Sequence, residues 1–134
     1  MMTRQLKTTR YCVAVAFLTL GVACDNPFGS GDCTLLVRPA VTIEVRETGS
    51  GRSLADSAKG VVRTGTYVDS LKPSRSDASG VLVALQGGGT AGTYSIELVR
   101  PGYAVWTRSN VHVTGERCSV HTVDLRADLV RPGA

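Results

Sequence analysis

Residues 41–45 read Val41-Thr42-Ile43-Glu44-Val45, three β-branched apolar residues at alternate positions with polar residues between them. Successive side chains of a strand point to opposite faces, so this pattern predicts a strand with one face in a core and the other in water. The same period of two returns in Val81-Val83-Leu85, in Tyr94-Ile96-Leu98 and in Val111-Val113, each bounded by Gly, Pro, Asn, Asp or Ser. No window carries a 3.6-residue period. The nearest, RSLADSAK at residues 52–59, is stopped by Gly60 and is expected to be a loop.

Turn chemistry joins these segments. Arg100-Pro101-Gly102-Tyr103 places Pro second and Gly third, which suits a type II turn, because glycine takes positive φ without a Cβ clash. One strand should therefore end near Val99 and the next restart near Tyr103. Asp77-Ala78-Ser79-Gly80 is a turn signal before Val81, and residues 87–92 read as a flexible hairpin loop before Thr93. In residues 117–129 the apolar positions change parity, from Cys118 and Val120 to Val123, Leu125, Ala127 and Leu129, which predicts a bulge around His121-Thr122. Six or seven short strands without helices predict an all-β sandwich or small barrel.

The 134 residues suffice for one such domain. The chain opens with Arg4, Lys7 and Arg10 and no acid, followed by an apolar run from Tyr11 to Ala23, the pattern of a signal peptide. That run has 13 residues, short of the roughly 20 that a spanning helix needs, and no later stretch is apolar for as long. Leu20-Gly21-Val22-Ala23-Cys24 resembles the lipobox of bacterial lipoproteins, although Leu stands four positions before the cysteine instead of three. Gly21 and Ala23 equally satisfy the small-x-small rule of ordinary signal peptidase, and both readings start the mature chain at Cys24. Removal of Cys12 leaves Cys24, Cys33 and Cys118, an odd number for an oxidising compartment. A lipid on Cys24 leaves Cys33 and Cys118 to pair, and the count favours that reading. Residues 1–23 are thus assigned to a lipoprotein-type signal peptide, 24–32 to a polar tether and 33–130 to the folded domain.

Charge excludes one large class of partner. Of 15 basic residues three leave with the signal, so 12 face 11 acids in the mature chain, a net charge of +1. The remaining arginines are scattered among acids, and no basic stripe of the kind that tracks nucleic-acid phosphates is visible.

IEVRETGSGRSL at residues 43–54, the Asp77-Ala78-Ser79-Gly80 turn, GTYSIEL at residues 92–98 and Pro101-Gly102-Tyr103 together resemble successive landmarks of carboxypeptidase regulatory-like domains. The resemblance covers roughly residues 40–129. It implies a transthyretin-like, immunoglobulin-like antiparallel β-sandwich, in relatives an accessory module of envelope proteins with no catalytic residues of its own. In immunoglobulin-like sandwiches the first and last strands often run parallel along an edge, which would bring Cys33 and Cys118 together. The chain departs from the pattern at residues 64–76, TGTYVDSLKPSRS, an insertion longer than members usually carry and the first place to look for a special function.

Motifs for chemistry are weak. Residues 87–92 match G-x-G-x-x-G literally, but the dinucleotide fingerprint must open a helix, and residues 93–99 read as a strand. His112 lies between inward Val111 and Val113 and should face solvent. His121 falls at the expected bulge with Asp124 three residues on, and no zinc-protease spacing or G-x-S-x-G elbow is present. Glu44 and Glu47, three apart on a strand, project to opposite faces. Tyr94 reads as core and Tyr103 as packing inward, leaving Tyr67 and Trp106 as aromatic candidates for partner binding. The expectation is a lipid-anchored, non-catalytic binding or spacer module of the bacterial cell envelope. It needs no cofactor or metal, holds to the membrane through its lipid, and meets a protein, peptide or glycan with its loops, above all 64–76. Its rivals are a metal-dependent or hydrolytic enzyme using His121 and Asp124, and a structural subunit that associates by edge-strand pairing.

Overall fold

The structure is a computed structural model that describes residues 37–133. These residues form two four-stranded sheets. The strands are β1 (Val41–Glu47), β2 (Lys59–Thr64), β3 (Tyr67–Ser70), β4 (Lys72–Ser76), β5 (Leu82–Gly87), β6 (Gly92–Val99), β7 (Trp106–Val113) and β8 (Val123–Leu129). The first sheet has the order β4-β5-β1-β8 and the second β3-β2-β6-β7. All neighbouring pairs are antiparallel except β1 and β8, which run parallel in register from Val41↔Val123 to Glu47↔Leu129.

Three of the four alternating segments bury the faces their sequences predict. Val41, Ile43 and Val45 of β1 are fully buried, as are Tyr94, Ile96 and Leu98 of β6 to within 2 %. Val111 and Val113 of β7, with Ala127 and Leu129 of β8, join them in one core between the sheets. Every second residue of β6 is exposed, the signature of a sheet with one wet face. Residues 52–59 contain a single 3-10 turn, Ala55–Ser57, whose Ala55 is buried beneath Leu54 in the core cluster.

Five expectations need correction. The strands number eight, because the supposed insertion at 64–76 holds two of them. β2 and β3 form a hairpin around Gly65-Thr66, with Gly65 at φ 55°, as a type II′ turn requires at its first central position. Leu71 then carries the chain from β3, the edge of one sheet, to β4, the edge of the other, and so closes one open side of the sandwich. The Leu71 amide donates to the Gly60 carbonyl at 2.8 Å. A Cβ on Gly60 would stand 2.7 Å from Leu71 Cδ1, and one on Gly87 would stand 3.0 Å from Cδ2, so the leucine lodges between two glycines. Both edge strands are nearly all exposed, which removes the alternation that marks a strand, and Pro73 is tolerated because β4 pairs on one side only.

Residues 88–91 do not close a hairpin, since β5 and β6 belong to different sheets and the glycine-rich segment arches between them. Gly88 approaches Ala40 and Tyr94 so closely that a Cβ would meet them at 2.8 and 3.0 Å, and its amide donates to Asp69 Oδ2 at 3.0 Å. Tyr94 holds the arch from below, its hydroxyl donating to the Thr90 carbonyl at 2.8 Å.

The strand after the Arg100 turn restarts at Trp106, not at Tyr103, and Val81 is exposed, with β5 beginning at Leu82. The parity change near His121-Thr122 is a break between elements instead of a bulge. Gly115 and Val120 pair in a small turn, and β8 begins only at Val123, whose amide donates to the Ala40 carbonyl at 2.9 Å. A bulge does occur one strand earlier: Tyr94↔Val111 and Ile96↔Arg108 leave two residues of β7 opposite Ser95, with Asn110 at φ 58°.

Candidate functional site

β1 and β8 run parallel, so Glu47 and Leu129 end at the same pole of the sandwich, about 20 Å from Val41 and Val123 at the strand rise of roughly 3.3 Å per residue. β6 also ends at the Glu47 pole. A pentapeptide repeated in the sequence builds this end: Leu98-Val99-Arg100-Pro101-Gly102 after β6 and Leu129-Val130-Arg131-Pro132-Gly133 after β8. Each copy buries its Leu, exposes its Val, and turns at a glycine with φ 83° or 81°. The Ala104 amide donates to the Val130 carbonyl at 2.8 Å and locks the two copies side by side.

Between them lies an open cleft of about 350 Å³, with Arg52, Ser57, Arg100, Pro101, Tyr103 and Arg131 on its walls. Glu47 is its anchor. The Tyr103 hydroxyl donates to Glu47 Oε1 at 2.7 Å, Arg131 Nε donates to the same oxygen at 3.0 Å, and Ser50 Oγ donates to Oε2 at 2.5 Å. Arg52 Nε stands 3.6 Å from Oε2. The Ser50 and Tyr103 hydroxyls and the Arg131 guanidinium hold the Glu47 carboxyl at about 2, against partial desolvation that raises it. Tyr103 and Glu47 in turn push Arg131 further up.

Tyr103 is the second organising residue. Arg100 and Arg131 lie over its ring with guanidinium carbons 5.2 and 5.4 Å from the centroid, within cation–π range. Arg100 is held in place by Ser57 Oγ, which accepts from Nε at 2.7 Å, and by Asp56 at 3.6 Å. Its side chain is 17 % exposed, against 61 % for Arg52 and 58 % for Arg131. Among the described residues three guanidinium groups thus face two carboxylates, Glu47 and Asp56, leaving one positive charge in excess.

The residues singled out in the sequence are not gathered here. Tyr67 is exposed on the free edge of β3, at the pole opposite the cleft. Trp106 opens β7 on the other edge of the same sheet, half-buried against the core. Two strands separate them, so they cannot form one aromatic patch. His112 is exposed and meets Thr93 Oγ1 at 3.0 Å. His121 Nε2 lies 2.7 Å from Glu116 Oε1 in the small turn, while Asp124 stands exposed on β8 and makes no hydrogen bond or ion pair to it. Among the described residues no group of three or more His, Cys, Asp or Glu is placed to hold a metal ion. Cys118 lies in the same small turn, five residues before β8; Cys24 and Cys33, with the signal peptide and tether, lie outside the described residues.

Sequence reading took Tyr103 as a packing residue and Arg100 as part of a turn, and missed the cleft. The repeated Leu-Val-Arg-Pro-Gly was the available signal, since two identical strand endings in a sandwich place identical side chains at sheet ends. No protein-family model matches the sequence, and a search of curated proteins finds no match either.

Proposed function

We propose that the protein is a lipid-anchored, non-catalytic binding module of the bacterial cell envelope, with a carboxypeptidase regulatory-like, immunoglobulin-like sandwich that presents the Arg52–Tyr103–Arg131 cleft to its ligand. The observation that carries this reading is the polarity of the domain. β1 begins at Val41 at one pole and the cleft lies at the opposite pole, which leaves the cleft clear of the end of the sandwich where β1 starts. The cleft joins an aromatic ring to exposed guanidinium groups, the residue types that dominate recognition surfaces. Two sheets of four strands and the parallel β1–β8 pair support the sandwich assignment and the pairing of Cys33 with Cys118.

A second reading, association through a sheet edge, is favoured by β3, whose free edge exposes Tyr67 at 40 % and Val68 at 56 %. Site-specific photo-crosslinking in intact cells separates the two. A photoreactive residue at position 101 should give a discrete adduct and one at position 68 none. An adduct from position 68 alone, or from neither site, would contradict the cleft as the binding surface.

A further inference from the structure

Building on the binding-module reading, we infer that the cleft is a carboxylate receptor: it takes a ligand through one singly charged carboxylate, gripped by Arg52 and Arg131 above the Tyr103 ring. Three features of the site lead there. Arg52 uses one terminal nitrogen for a long 3.5 Å bond to the Tyr103 hydroxyl, and Arg131 uses Nε and one terminal nitrogen on Glu47 and Tyr103. The remaining terminal nitrogen of each engages no partner among the described residues. A guanidinium presents its N–H groups in a planar fork that matches carboxylate geometry, whereas a neutral amide cannot answer two donors of one sign.

Charge sets the valence of the ligand. Glu47 and Asp56 already neutralise two of the three guanidinium groups, so a monoanion completes the balance. A phosphate dianion would overshoot it beside the Glu47 carboxylate. Shape sets the company of that carboxylate: the Pro101 ring supplies an apolar wall beside the guanidinium groups stacked on Tyr103, and the volume of about 350 Å³ lies in the range of small-ligand sites. A peptide-type carboxylate and the carboxylate of an acidic sugar both meet these requirements.

The test is ligand-observed saturation-transfer NMR on the detergent-purified full chain, with N-acetylglycine, its carboxamide, glucuronate, glucose and inorganic phosphate as probes. The expected result is binding of one or both carboxylates, with the matching neutral probe weaker by about tenfold or more, as loss of a charge-assisted pair implies. The stronger of N-acetylglycine and glucuronate then identifies the source. Arg52→Gln should remove that preference while lowering the melting temperature only slightly, as loss of an exposed ion pair does, and Arg126→Gln, on the outer face of β8, should leave it intact. Equal binding of a carboxylate and its neutral partner overturns the inference, as does an unchanged preference in Arg52→Gln. Phosphate binding tighter than either carboxylate overturns it while leaving the cleft a binding site. Silence from every probe overturns the carboxylate assignment, and a crosslink from position 101 then still upholds the binding reading on its own.

Discussion

The Tyr103 hydroxyl donates to Glu47 Oε1 across 2.7 Å, joining the β6–β7 turn to the end of β1 over 56 residues of chain. Arg131 completes the clasp from the far side of β8. One carboxylate thus ties together the side chains of three chain segments that backbone pairing already brings side by side.

The clasp gives stability a definite acid dependence. Glu47 ordinarily titrates near 4.5 and is held at about 2 in the folded protein. A depressed carboxyl stabilises the fold above its unfolded value, and the contribution is lost as pH falls through the folded one. The melting temperature should therefore decline as pH drops from 4.5 toward 2, and Glu47→Gln should show a shallower decline from a lower starting point. Asp77, held below the usual carboxylate range by the Ser79 hydroxyl and by backbone amides, keeps part of the slope in the variant. Superimposable acid limbs for the two proteins, measured by circular dichroism, would contradict this role for Glu47.

The crossing at Leu71 makes a packing prediction. A Cβ on Gly60 would stand 2.5 Å from the Glu97 carbonyl oxygen as well as 2.7 Å from Leu71 Cδ1, and the first of these is backbone that cannot rotate away. Gly60→Ala should destabilise by about 1–3 kcal/mol, the range for overpacking. Leu71→Ala should cost about 2 kcal/mol from lost burial, near the low end for leucine truncation because the residue is only half-buried. Urea denaturation decides this; a Gly60→Ala variant as stable as wild type would show that β2 shifts against β6 and Leu71 without cost.

How far the sequence speaks depends on burial. β1, β6 and β7 were legible because each lays one face on the core, and selection for a dry interior writes a period of two into the chain. β3 and β4 were not, because an edge strand that is exposed on nearly every residue has no inside to advertise. The glycine arch after β5 looked like a hairpin loop because local turn chemistry does not say which sheet the next strand joins. The cleft was hidden for a related reason: Arg52, Arg100 and Arg131 are far apart in the chain, and only the β1–β8 pairing and the packing of the β6 sheet against it bring them together.

The parallel register of β1 and β8 bears on the proposed disulfide. In the sequence Cys33 precedes Val41 by eight residues and Cys118 precedes Val123 by five, and Val41 and Val123 are register partners at the start of the parallel pair. A bridge between positions 33 and 118 spans 85 residues and is worth about 4.5 kcal/mol in the chain-entropy treatment. Cys33→Ser should lower the melting temperature by many degrees and expose Cys118 to alkylation. Labelling of both cysteines in the native, unreduced protein would contradict the bridge.

The proposed anchor on Cys24 is what would hold this sandwich at a membrane, and intact mass spectrometry of the protein extracted from membranes reads it directly. A chain beginning at Cys24 and carrying the added mass of a diacylglycerol, with or without a third acyl chain, is the result this account predicts. A soluble product with an unmodified Cys24 at its N-terminus would contradict it.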